Sequence, residues 1–97
     1  MNQTIVSAIQ EKKCLSFMYN GHHRVVEPHC YGITTSGDEV LRCYQIRGGS
    51  SLDIVPDWKM MIIDKISVLT LTQDEFLGPR NEYKKGDKYM TRIFCEL

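Results

Sequence analysis

The sequence predicts a mainly β fold: a small, partly open barrel of five strands behind one N-terminal helix, with an irregular C-terminal tail. Three observations carry this. Only residues 2–13 show apolar side chains at helical spacing. From Cys14 the apolar period falls to two. Turn signals then recur at short, near-regular intervals: Asn20-Gly21, Ser36-Gly37-Asp38, Gly48-Gly49-Ser50-Ser51 and Asp64-Lys65.

Each element follows in order. In residues 2–13, Ile5, Ala8 and Ile9 share a face, Asn2 or Thr4 is placed to cap the first turn, and Lys12-Lys13 complements the dipole at the other end. So short a helix is marginal alone and must dock on something. Leu15, Phe17 and Tyr19 alternate with Cys14, Ser16 and Met18, and Asn20-Gly21 is the strongest short hairpin signal. A second strand over residues 23–34 carries Pro28, which removes a ladder donor and asks for an edge position or a bulge. A third strand covers residues 39–47, and residues 48–57 form a flexible loop longer than a hairpin needs. Residues 58–63 and 66–72 make the fourth and fifth strands, nearly continuous apolar runs that need cover on both faces. In the tail, residues 74–76 could start a helical turn that Gly78-Pro79 breaks, and residues 89–94 form a last helix or strand. We divide the chain into a barrel with its helix, residues 1–76, and an extension, residues 77–97, packed on the same domain.

Composition bounds the function. Ninety-seven residues make one small domain, and 42% hydrophobic with 25% charged residues is ordinary globular composition. Twelve basic side chains balance twelve acidic ones. That excludes a protein held to nucleic acid by bulk charge, though not one with a local basic face. No apolar run is long enough to span a bilayer and no signal-peptide core is present, so the expectation is a soluble, cytoplasmic protein without a membrane role. Cys14, Cys30, Cys43 and Cys95 form no CxxC pair and lie among apolar residues, as reduced core thiols do.

Familiar catalytic patterns are missing. His22, His23, His29 and Cys30 match no zinc spacing, and no cofactor is expected. Gly48-Gly49-Ser50 is not a nucleophile elbow, and there is no GxGxxG or Walker loop. A third constellation says more. Arg24, Glu27 and His29 lie on the second strand, Arg42, Tyr44, Gln45 and Arg47 on the third, and Trp58 and Lys59 open the fourth. Placed at strand ends beside a Gly/Ser loop, these groups could meet at one mouth of a barrel. Cationic donors beside aromatic rings suit an anionic ligand with a planar ring, such as a nucleotide or a short single strand. The plainer alternative is solvated strand faces with an Arg24–Glu27 surface pair.

Phe17-x-Tyr19, Arg24-Val25-Val26-Glu27-Pro28-His29, Asp38-Glu39-Val40-Leu41 followed by Tyr44, and Asp64-Lys65-Ile66 together resemble the WYL domain. This ligand-sensing module of bacteria and phages has an Sm-like, SH3-type barrel. The resemblance covers residues 1–76, with Arg-Val-Val-Glu-Pro its most specific part. It has departures. The naming tripeptide falls at Glu39-Val40-Leu41, the family's Arg-x-Phe appears as Lys59-Met60-Met61, and a later arginine is Lys65. Charge survives these changes, whereas the fork-shaped contacts of arginine do not. The chain shows no helix-turn-helix and adds a tail. It is similar to a compact, stand-alone branch marked by Glu27-Pro28-His29, Tyr44-Gln45, Gly48-Gly49-Ser50 and Pro79-Arg80-Asn81-Glu82-Tyr83.

The resemblance implies a non-catalytic sensing domain for a nucleotide or single-stranded effector in transcriptional or anti-phage regulation. Arg24 would contact the anionic group, with Tyr44, Gln45 and Lys59 lining the pocket and His29 hydrogen-bonding within it. Glu27 would orient Arg24, and Arg47, Ser50, Trp58 and Lys65 would support the site. Pro79, Arg80 and Tyr83 would close over the mouth or cover an edge strand. Beside Glu27 and an anion, His29 is expected to favour its charged form and to tighten binding below about pH 6.5. Two alternatives stay open: a module that dimerises or docks on a partner regulator, and a small hydrolase or nuclease.

Overall fold

The computed structural model describes residues 1–51 and 54–97; Leu52 and Asp53, part of the expected 48–57 loop, lie outside the described residues. The elements are α1 (Gln3–Glu11), β1 (Lys13–Tyr19), β2 (His22–Thr34), β3 (Glu39–Gly48), β4 (Asp57–Ile62), a 3-10 turn (Ile63–Lys65), β5 (Ser67–Glu75) and β6 (Met90–Glu96). Every pairing is antiparallel, in the order β4-β3-β2-β1-β5, with β6 added beside β2. The mainly β class and the single N-terminal helix agree with the sequence reading. Among the described residues the strands number six rather than the expected five, because the tail returns to the sheet as β6. No helix among the described residues is long and apolar enough to cross a membrane.

Local chemistry sets the first turns. Asn2 caps α1, its side-chain oxygen accepting the Ile5 N–H at 3.1 Å. The helix stops at Glu11, short of the expected Lys13, because Lys12 adopts the left-handed conformation (φ 54°, ψ 52°) and turns its N–H onto the carbonyls of Ala8 and Ile9. Lys13 is then free to begin β1. The β1–β2 hairpin turns through Asn20 (φ 49°) and Gly21 (φ 76°), the paired positive φ values of a tight primed turn.

The core lies between α1 and the inner face of the sheet. Ile5, Val6, Ala8 and Ile9 of the helix pack against Leu15, Phe17, Val26, Tyr31, Leu41, Cys43 and Met61. Of all the strands, β2 has the longest unbroken stretch of buried residues, from Arg24 to Gly32. One of its edges pairs with β3. The other pairs with β1 as far as Val26 and with β6 from Cys30 onward. Pro28 falls at this changeover, where the β3 register also slips between Pro28 and Cys30. Of the two expected positions for Pro28, the irregularity is the one found; a missing N–H is tolerated where neither neighbour asks for it.

The tail corrects a second expectation. β5 runs on to Glu75, which pairs with Lys13, so no helical turn forms at residues 74–76. The Phe76 N–H then donates to the Lys12 carbonyl at 2.9 Å, directing the chain over the outer face of the sheet. Residues 76–83 form a strap there before β6 pairs with β2. β6 sits hard against Gly32: a Cβ at that position would lie 2.2 Å from the Arg92 carbonyl oxygen. Gly32→Ala is therefore expected to cost about 1–3 kcal/mol through overpacking. Hydrogen exchange should show protection lost in residues 93–96 and kept in the β1–β2 hairpin; full protection of β6 in the variant would contradict this.

Candidate functional site

Strand alternation separates the polar residues into two groups. On β3, Leu41, Cys43 and Gln45 share the inner parity, while Arg42 and Tyr44 face out. On β4, Lys59 and Met61 face in and Trp58 and Met60 face out, each opposite its β3 partner. The single mouth expected from the sequence is therefore two places. Gln45 and Tyr44 are neighbours in sequence and lie on opposite sides of the sheet.

The inner group is built around Arg24, only 4% exposed on the inner face of the sheet. Its Nε and Nη2 donate to the Tyr19 carbonyl at 3.3 and 3.1 Å, and Nη1 donates to Gln45 Oε1 at 3.3 Å. The guanidinium also lies 5.1 Å from the centre of the Tyr19 ring. Gln45, fully buried, is fixed in turn by its Nε2, which donates to the carbonyls of Arg47 and Gly49 at 3.1 and 2.9 Å. Lys59 donates to Ser50 Oγ at 3.1 Å. Gly48 makes this crossing possible. It takes φ 97°, and a Cβ there would meet the His23 carbonyl oxygen at 2.0 Å.

Charge is the distinctive feature of this group. Among the described residues the acceptors that hold Arg24 and Lys59 are neutral, and neither cation has a carboxylate within ion-pair distance. Burial pushes the thiol of Cys43, itself fully buried on β3, up to about 12, against the lowering effect of Arg42, Arg24 and Lys59.

The outer group is sealed by the strap. Glu27, 5% exposed, receives a two-pronged ion pair from Arg80: Nε to Oε1 at 2.7 Å and Nη2 to Oε2 at 2.8 Å. The Arg80 guanidinium lies 4.6 Å from the centre of the Tyr44 ring, and Tyr44 meets Trp58 edge-on at 5.4 Å. His29 is fully buried among Trp58, Phe76 and Tyr83, with ring centres 4.7, 5.8 and 5.0 Å away. Its Nδ1 lies 2.9 Å from the Glu27 carbonyl and must donate, while Nε2 accepts the Arg80 N–H at 3.1 Å. A cavity of about 710 Å³ opens beside the strap between Glu27, Tyr44, Asp57, Trp58 and Arg80.

The expected site residues are thus distributed. Arg24, Gln45, Lys59 and Ser50 fall in the inner group, with Arg24 bonded to Gln45 and Lys59 to Ser50. His29, Tyr44, Glu27 and Trp58 lie on the outer face. Glu27 orients Arg80 and not Arg24, because residues 24 and 27 have opposite parity. Arg47 is mostly exposed and makes a 3.5 Å contact with Asp74, as a solvated strand end does. Lys65 sits exposed in the 3-10 turn, and no hydrogen bond or ion pair among the described residues ties it to the mouth. Pro79, Arg80 and Tyr83 cover the outer face instead of the mouth. Sequence reasoning did not single out Tyr19 as a cradle for Arg24, or Phe76 as a wall for His29. The hairpin position of Tyr19, beside the turn that starts β2, was the available signal.

Burial raises all four cysteine thiols, Cys30 and Cys43 to about 12, and all four are free. Thiols held protonated in this way make poor nucleophiles. Among the described residues no three His, Cys, Asp or Glu side chains converge into a set that could hold a metal ion. No family model, curated protein or solved structure matches this chain.

The pH expectation for His29 reverses. Burial lowers its pKa below the ordinary 6.5 and Arg80 adds to this, outweighing the Glu27 carbonyl and carboxylate. A proton on Nε2 would also face the Arg80 N–H. The unfolded chain therefore binds this proton more readily, and the stabilisation is complete above about pH 6.5 and lost as pH falls below it. Thermal melts from pH 8 to 5 should show wild-type stability falling by up to about 1.4 kcal/mol per pH unit more steeply than His29→Gln. Parallel curves for the two proteins would contradict a neutral, buried His29.

Proposed function

We propose that the protein is a non-catalytic sensing domain whose barrel mouth takes the anionic group of a nucleotide or short single strand. The observation that carries this is Arg24: a buried cation that, among the described residues, is held by neutral acceptors, with Lys59 as a second cation on the same inner face. Burying a lone charge costs several kcal/mol by rough estimate, and an anion between the two would offset that cost. Three hydrogen bonds leave guanidinium N–H groups over for such a ligand. The strand order β5-β1-β2-β3-β4 with a 3-10 turn between β4 and β5, and the Ile62 N–H donating to the Tyr19 hydroxyl at 3.1 Å across the gap, support the reading of an Sm-like, SH3-type barrel akin to the WYL domain.

Thermal shift and calorimetry with a panel of nucleoside mono-, di- and triphosphates test this. Wild type should gain about 2.7 kcal/mol of stability at a ligand concentration one hundred times Kd. Arg24→Ala and Lys59→Ala should each weaken binding at least about tenfold, as loss of a buried charged partner does. Saturable binding untouched by Arg24→Ala would move the site elsewhere. A second reading rests on the sheet edges: β4 and β5 are each paired on one side only, and Val68 on β5 is 76% exposed. It makes the barrel a docking module for a second copy or a partner regulator, and light scattering that shows a monomer at all concentrations would count against the second copy.

A further inference from the structure

Away from the mouth, the tail gathers positive charge in a chain that is neutral overall. Residues 84–92 carry Lys84, Lys85, Lys88 and Arg92 against one carboxylate, Asp87. That carboxylate is already used. Arg42 Nε donates to it at 2.8 Å, and this bond with that from the Tyr89 N–H outweighs the effect of burial and holds Asp87 below its usual range. The loop is pinned as well: the Met90 N–H donates to the Asp87 carbonyl and the Gly86 N–H to Glu96, both at 3.0 Å. Lys84, Lys85 and Lys88 are exposed, and among the described residues they enter no ion pair.

These lysines surround a concave, aromatic surface. An open cavity of about 520 Å³ is lined by Arg42, Trp58, Tyr89 and the three lysines, with the carboxylates of Asp87, already paired to Arg42, and Glu82 also on its wall. Tyr89 is 57% exposed, and its ring centre lies 5.6 Å from the Arg42 guanidinium and 5.5 Å from the Lys88 ammonium. Point charges on a fixed loop supply phosphate contacts, and an exposed ring flanked by cations supplies a stacking platform. A membrane surface would ask for several apolar side chains to insert, and Tyr89 is the only exposed large apolar residue on this segment.

We propose that the 84–89 loop, with Arg42 and Trp58, is a second binding surface that takes single-stranded nucleic acid: the lysines hold successive phosphates and Tyr89 stacks an unpaired base. It stands apart from the mouth and does not depend on the reading given there. The test is fluorescence polarisation of labelled single-stranded DNA of about ten nucleotides, a length within the usual site size, against the full chain. Its variants are Lys84→Ala/Lys85→Ala/Lys88→Ala, Tyr89→Ala, Tyr89→Phe and Arg24→Ala, each checked by a thermal melt.

The lysine variant should bind at least about tenfold more weakly at roughly 50 mM salt, with the salt slope reduced by about two. Tyr89→Ala should lose about five- to a hundredfold, and Tyr89→Phe should bind as wild type. The annealed duplex should bind more weakly than the single strand, and inorganic polyphosphate should compete only through the lysine share. Wild-type binding in the lysine variant, or no binding at tens of micromolar, overturns the proposal. So does a lysine effect without a Tyr89 effect, since the surface would then read charge alone. Loss of all binding in Arg24→Ala with the lysine variant unchanged would place the strand at the mouth and sink this surface, leaving the mouth reading intact.

Discussion

Everything in this fold is arranged around one strand that must be buried on both faces. β2 exposes almost nothing from Arg24 to Gly32. A strand in that position cannot be covered by a single helix and one sheet layer. The helix and the main core cover its inner face, and the strap with Phe76 and Tyr83 covers the outer one. Its second edge is shared by β1 and β6, and the chain changes partner where Pro28 has no N–H to offer. The tail is therefore a structural necessity in this chain: without it the Glu27–His29 face of β2 would meet water with an imidazole and a carboxylate poised among aromatic rings.

The treatment of charge on the two faces differs, and the difference is informative. On the outer face every buried charge has its opposite. Glu27 is matched by Arg80, and Asp87, whose side chain is 8% exposed, is matched by Arg42. His29 is kept neutral with both ring nitrogens used. On the inner face the same small chain holds Arg24 more deeply than either cation of those pairs, yet among the described residues it meets a carbonyl, an amide and a tyrosine ring. A structural arginine would be expected to follow the pattern its neighbours set.

Much of this was legible in the sequence, and the parts that were not share a cause. Period two, the Asn20-Gly21 turn and the helical start announce themselves locally, and so they are found where the pattern places them. Parity also stood in the sequence: residues 24 and 27, or 44 and 45, cannot share a face of a regular strand. What local pattern does not contain is the partner of a residue far along the chain. Glu27 meets Arg80 and His29 accepts from the Arg80 N–H because the tail crosses the sheet, and nothing near residue 27 encodes that crossing. The sixth strand was ambiguous for a similar reason. Residues 89–94 are too short for their period to decide, and pairing with β2 settles Met90–Glu96 as strand. Lys12 ended the helix early through a backbone conformation that its own identity does not favour.

Solvating a buried cation with dipoles is physically different from neutralising it. The Tyr19 carbonyl and the Gln45 amide lower the cost of burying the Arg24 guanidinium on the inner face of the sheet, but they leave its net charge in place. Ser50 does the same for Lys59. A carboxylate in either position would cancel the field that an approaching anion feels, whereas a dipole only orients the donor. In a low-dielectric setting that residual charge acts over a longer distance than the same charge in water. Orientation by neutral groups at Arg24 and neutralisation by Arg80 at Glu27 are thus two different solutions to a buried charge, held on opposite faces of one sheet.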